Sequence, residues 1–272
     1  MIHKALALSV LSMAAALPQA WGQAPPSKLN CAPNGLAVNG LVSYCQLREA
    51  LLPPADSFAV DNVNGSVTVQ TWDGPGILVR VKVQTAAASY YMAEALAGEV
   101  VVDTSTGKVV VKGPSTNSYQ SWSAKIEIHV PPATGVTIDT VNGSITVRGV
   151  QGPVVAKTVN GSVSLSGVGG DVIGKVVNGS ILIAVGGDHW NGQTLTANTV
   201  NGSIEIDVPA DCSAHVTASV SMGTIKTNFP VQIPAASALF GQKVSFDVGG
   251  VESSNSAICM AATLGSIQLR QE

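Results

Sequence analysis

Three segments decide the fold: Val141-Asn142-Gly143-Ser144-Ile145-Thr146-Val147, Val159-Asn160-Gly161-Ser162-Val163-Ser164-Leu165 and Val177-Asn178-Gly179-Ser180-Ile181-Leu182-Ile183. Successive asparagines lie 18 residues apart. Two further copies stand at Val63-Asn64-Gly65-Ser66 and Val200-Asn201-Gly202-Ser203, and degenerate ones at Ser221-Met222-Gly223-Thr224 and Leu264-Gly265-Ser266. A repeat at fixed period is the signature of a stacked architecture.

Aligned, the copies separate two faces. The first column after the serine is Ile145, Val163, Ile181, Ile204, Ile225, and the third is Val147, Leu165, Ile183, Ile206, Thr227. Between them lie Thr146, Ser164, Leu182, Glu205 and Lys226. This period of two predicts a strand with one buried face. A second strand precedes each asparagine, with a small inward column of Ala156, Gly174, Ala197 and Ala218 that implies a close facing wall. A unit of two short strands cannot bury its apolar face alone, and stacking like units solves this. The expectation is an all-β fold, a β-solenoid of stacked two-strand coils of about 18–23 residues. An antiparallel sandwich also has short strands and turns, but does not explain the recurring columns. Asn64, Asn142, Asn160, Asn178 and Asn201 are expected to form an amide ladder along the axis. Gly143, Gly161, Gly179 and Gly202 are expected to supply the backbone freedom of the corners.

In the N-terminal part, Ile77–Val83 and Ile126–Val130 read as strands. Ala86 to Ala97, ended by Gly98, reads as the one short helix. In the C-terminal part, the segment between Gly223 and Gly265 is expected to hold one eroded coil, which keeps the coils in sequence order.

The chain opens with His3-Lys4, an uncharged apolar run from Ala5 to Ala16, Pro18, and small residues at Ala20 and Gly22. That order predicts a signal peptide over residues 1–22. Residues 23–57 are Pro-rich, contain Cys31 and Cys45, and are expected to cap the open N-terminal edge; residues 58–272 form the repeat domain. Export favours disulfides among Cys31, Cys45, Cys212 and Cys259. Four cysteines allow three pairings, and proximity in sequence favours Cys31–Cys45, leaving Cys212–Cys259. A net charge of −3 argues against nucleic acid or anionic lipid as the main partner. The apolar run is too short for stable membrane insertion.

Residues Val63–Val69 followed by Trp72-Asp73, the short helix, the Ile126–Pro132 strand and the Val-Asn-Gly-Ser coils together resemble a bacterial family of unknown function, the β-strand-repeat "putative adhesin" domain. The resemblance covers about residues 58–272. It implies an exported or envelope-anchored β-solenoid, with some relatives associated with envelope stress, and it supplies no catalytic motif.

No spacing in the chain suits a metal, a cofactor or a nucleophile, so the expectation is a non-enzyme with no cofactor. Solenoid polysaccharide lyases use clustered acids, and the pair Glu205 and Asp207 reads instead as a solvated face. The triplets Gly169-Gly170-Asp171 and Gly186-Gly187-Asp188 read as turns rather than calcium loops. Asp188-His189-Trp190-Asn191-Gly192 interrupts the 18-residue period, and makes His189, Trp190 and Asn191 a candidate contact loop, with a turn that packs its Trp inward as the alternative. The function expected is an envelope adhesin or scaffold presenting a repetitive surface to protein or glycan. The alternatives are a periplasmic stress-associated factor acting through a protein partner and, less favoured, a carbohydrate-active enzyme.

Overall fold

The computed structural model describes residues 29–31, 37–38, 40–105, 107–187, 190–233, 241–249 and 256–271. The expected signal peptide, and His189, lie outside them. Among the described residues the chain is mostly β with one short helix, in a large mixed sheet that is not closed.

In chain order the strands are β1 (Ala37–Val38), β2 (Leu41–Leu52), β3 (Ser57–Asn64), β4 (Val67–Thr71) and β5 (Ile77–Ala87), then α1 (Tyr90–Glu99). Next come β6 (Val101–Asp103), β7 (Lys108–Lys112), β8 (Ser121–Val130), β9 (Gly135–Asn142), β10 (Ile145–Arg148), β11 (Val154–Asn160) and β12 (Val163–Val168). The rest are β13 (Val172–Asn178), β14 (Ile181–Val185), β15 (Thr194–Asn201), β16 (Ile204–Val208), β17 (Ala214–Thr227), β18 (Gln242–Val248) and β19 (Ala257–Gln271).

Each Asn-Gly corner joins two strands, and each strand pairs in parallel with its counterpart one unit away. The first wall runs β3, β9, β11, β13, β15, with Phe58, Val136, Val154, Val172 and Leu195 in one register line. The second runs β4, β10, β12, β14, β16, aligning Val67, Ile145, Val163, Ile181 and Ile204. Both lines face inward and are buried, each side chain contributing about 1.5–3 kcal/mol. The walls approach closely at the small column. A Cβ added at Gly174 would lie 3.3 Å from Ile181 Cγ2 on the facing wall.

The strands do not pair in sequence order at the C-terminal end. β19 stacks directly on β15 and β16, and β17 stacks on β19. In sequence order Asn228 would face Asp207. Instead Arg270 takes that position and forks onto Asp207 at 2.7 and 3.0 Å. β17 is thereby left at the end of the stack, where β18 covers the first half of its edge as an antiparallel partner. The segment expected to hold an eroded coil therefore holds an antiparallel edge strand.

At the other end, β8 pairs with β4, β5 runs antiparallel to β8, and β2 runs antiparallel to β5. On the first wall β7 pairs with β3, and β6 returns antiparallel to β7. The helix begins later than the sequence suggests. Val81, Val83, Thr85 and Ala87 alternate inward, so β5 continues through Ala87. Ser89 is the N-cap, its hydroxyl accepting from the Met92 amide, and Gly98 lies inside the helix. Arg48 donates to the carbonyls of Ala97 and Val100, where the helix dipole favours a cation. Ala93, Leu96 and Ala97 pack inward, Tyr90 meets Tyr44 of β2 edge-on with ring centroids 5.6 Å apart, and Tyr91 is exposed.

Cys31 and Cys45 form a disulfide. Cys212 and Cys259 do not, which corrects the second pairing. Cys212 is buried in the turn before β17, while Cys259 alternates with Ile258 and Met260 and so faces outward. A bond between them would have to pass through the wall.

Candidate interaction surface

The corners build the surface. Asn142 Nδ2 donates to Asn64 Oδ1, Asn160 to Asn142, Asn178 to Asn160, and Asn201 to Asn178, each at 2.9 Å. The register line continues into Leu264 and Met222, which carry no amide, so the ladder ends at Asn201. A serine column runs beside it, the amides of Ser162, Ser180 and Ser203 each donating to the serine hydroxyl one unit back. The glycine between these columns is required by close stacking as well as by backbone angle. A Cβ on Gly161 would lie 2.3 Å from the Gly143 carbonyl oxygen, and the Gly161 φ is +150°.

This corner leaves the preceding valine outside. Val63, Val141, Val159, Val177 and Val200 are each 39–43% exposed. They form an apolar stripe parallel to the asparagine ladder. One step further out, Asp139, Lys157, Lys175 and Asn198 stand in register. The stripe and this polar column flank a shallow groove of about 570 Å³. Toward β7 a second groove, of about 520 Å³, is lined by Val63, Val141, Asp61 and Lys108. Lys108 Nζ lies 2.9 Å from Asp61 Oδ2, and Lys157 Nζ lies 3.6 Å from Asp139 Oδ1. Lys157 and Lys175 are stacked like charges on neighbouring strands, and Asp139 offsets the first of them.

The expected contact loop is not presented in this way. Trp190 is buried and its Nε1 donates to the Gly170 carbonyl at 3.1 Å, so it plugs the stack from the side. Asn191 is exposed beside it. Asp171 Oδ1 accepts from the amides of Gln193 and Thr194 at 2.7 and 2.9 Å and so closes a turn. Glu205 and Asp207 both pair with Arg270.

Two polar clusters escaped the sequence reading. Glu127 and His129 look like solvent-facing positions of β8 yet are buried. Arg80 bridges Glu127 at 3.3 Å and Glu49 at 2.6 Å, and the Trp72 ring centroid lies 6.1 Å from that of His129. Burial pushes the His129 pKa down; Glu127 opposes this and Arg80 adds to it. The second cluster is on the outer face of β17 and β18, where His215 bonds to Asp247 and Ser245. Neither has a distinctive spacing signal, because each is completed only by strand pairing, through Arg80 in the first and His215 in the second.

No family model matches the chain, and no curated protein matches it. Several distant structural neighbours are named as adhesion proteins. A "putative cell adhesion protein" from Clostridium sporogenes is 10% identical, with a TM-score of 0.44 over 84% of this chain and 100% of its own. A "putative adhesin" from Bacteroides fragilis is 12% identical, with a TM-score of 0.39 over 84% of this chain and 97% of its own. A "putative lipid binding protein" from Parabacteroides distasonis is 10% identical, with a TM-score of 0.35 over 84% and 96%. Likeness at this level carries neither fold nor function to this chain.

Proposed function

We propose that this chain is an exported β-solenoid of the cell envelope that works by contact, an adhesin or scaffold whose outer corner groove receives a protein or glycan partner. The observation that carries this reading is the continuous valine stripe from Val63 to Val200, exposed at every corner and flanked by a polar column. Buried core positions leave no reason for an apolar residue outside, and an exposed apolar line rimmed by polar groups is the usual mark of an interaction site. A surface that repeats at each strand spacing of about 4.8 Å suits an extended partner lying along the axis. The Cys31–Cys45 disulfide supports export to an oxidising compartment.

Binding of the purified chain to isolated envelope fractions tests the groove. The double variant Val159→Ser, Val177→Ser is expected to lose at least about tenfold in affinity with an unchanged melting curve, since both side chains are on the surface and serine adds no charge to the stacked column. Undiminished binding sinks the groove reading. Protease treatment of intact and osmotically opened cells then separates the compartments. Digestion on intact cells supports adhesion; protection until the outer membrane is opened points to a periplasmic partner.

A further inference from the structure

Outside the groove, one cluster has a geometry that calls for chemistry. His215 on β17 stands opposite Asp247 on the antiparallel β18, and Ser245 lies two residues before Asp247 on the same exposed face. His215 Nδ1 lies 2.6 Å from Asp247 Oδ1, and His215 Nε2 lies 2.9 Å from Ser245 Oγ. The order is hydroxyl, imidazole, carboxylate, with the two ring nitrogens divided between the two partners. Asp247 fixes the tautomer with the proton on Nδ1. That leaves Nε2 as the acceptor for the Ser245 hydroxyl proton, which is the arrangement of an activated serine wherever it occurs.

We propose that Ser245 is a nucleophile, with His215 as its general base and Asp247 as the group that orients and stabilises the imidazolium. The substrate class is carboxylic esters with small acyl groups. The His215 and Asp247 side chains are 54% and 56% exposed, so the ester must be carried on a molecule lying against the sheet rather than held in a deep cavity. In the first step Ser245 Oγ bonds to the ester carbonyl carbon and its proton passes to His215 Nε2. The bond from carbon to the leaving alkoxide breaks, and that alkoxide takes the proton from Nε2. In the second step water attacks the acyl-serine carbonyl as its proton passes to Nε2; the bond from the acyl carbon to Ser245 Oγ breaks, Oγ takes the proton back from Nε2, and the carboxylic acid leaves. Thr217 Oγ1 lies 3.4 Å from Ser245 Oγ and holds the hydroxyl from the other side.

The sequence hides this site. Ser245 sits in Lys243-Val244-Ser245-Phe246-Asp247, an ordinary alternating edge strand, and His215 is about thirty residues earlier. Only the antiparallel pairing of β18 on β17 brings the three together.

The test is labelling of the mature chain with a fluorophosphonate, which phosphonylates an activated serine with loss of fluoride, followed by peptide mapping. Ser245 is expected to be modified at least about a hundredfold faster than Ser115, an exposed loop serine, the size of a typical general-base contribution. His215→Gln and Asp247→Asn are expected to bring Ser245 down toward the Ser115 rate while leaving the melting curve in place, because both side chains are on the surface. Hydrolysis of p-nitrophenyl acetate should fall in the same order and vanish in Ser245→Ala. Equal labelling of Ser245 and Ser115, or undiminished labelling in folded His215→Gln, overturns the proposal and leaves the cluster as a clamp that holds β18 to the stack.

Discussion

Asn160 Nδ2 donates to Asn142 Oδ1 at 2.9 Å, and Asn160 Oδ1 accepts from Asn178 Nδ2 at the same distance. Each rung thus serves two neighbours, and the amide is used in both directions along the axis. Asn160→Ala removes both bonds and is expected to cost about 1–2 kcal/mol, read by urea unfolding. A variant as stable as the parent would show that solvent replaces the ladder without loss.

Gly161→Ala acts differently at the adjacent position. The new Cβ meets the Gly143 backbone, which cannot move without shifting the whole coil. A loss of at least about 3 kcal/mol is expected, larger than that of Asn160→Ala, and visible as a lowered melting temperature.

The inner threonines of the corners are not equivalent. Thr158 and Thr199 donate to the carbonyls of Gly143 and Gly179. In the preceding unit the Asn62 side chain already donates to the Gly65 carbonyl, and Thr140 Oγ1 is buried with no partner. Val176 occupies the same column, so valine fits there. Thr140→Val is therefore expected to be neutral or stabilising by up to about 1 kcal/mol, and Thr158→Val to cost about 1 kcal/mol. Paired denaturant curves would reveal the opposite order if the corner column is uniform.

The cysteines give a thiol count. In the native protein a thiol reagent is expected to modify Cys259 only, since Cys212 is buried and burial raises its pKa. Unfolding should expose the second thiol. Cys31 and Cys45 enclose 14 positions of sequence separation, and their reduction is expected to lower stability by about 3 kcal/mol. Two thiols reacting at equal rates before unfolding would contradict the outward and inward placement.

His129 sets a pH dependence. Its folded pKa lies below the value of about 6.5 that it recovers when unfolded. Below that pH the unfolded chain takes up a proton that the folded chain resists. Stability is then expected to fall as pH drops through about 6.5 and on toward the lower folded value. His129→Gln should flatten this slope, as followed by melting temperature from about pH 7.5 to pH 5.

How much was legible depends on how far apart the interacting residues lie. The Asn-Gly corners, the inward Val and Ile columns and the tight Ala156–Gly174 line repeat at a short period, so one coil predicts the next. The 86–97 helix was misplaced because Ala86 and Ala87 carry no breaker, and the alternation that keeps them in β5 is satisfied only by the partner strands β8 and β2. The inserted loop around Trp190 breaks the period and leaves a contact loop and an inward-packed Trp both open; the site that decides it, over the Gly170 carbonyl, belongs to the preceding unit.

The sequence alone determined that this chain stacks like residues over like, because a period-two apolar pattern repeated at fixed spacing can be buried only by copies of itself. Tertiary structure decided the order of the last coils, the separation of Cys212 from Cys259 and the meeting of Ser245, His215 and Asp247. Each follows from which edge a strand finds. β19 lies beside β16, where Arg270 pairs with Glu205 and Asp207, and β17 is left outermost, its first half covered by β18. That choice compares pairing energies between distant segments, which no local pattern encodes.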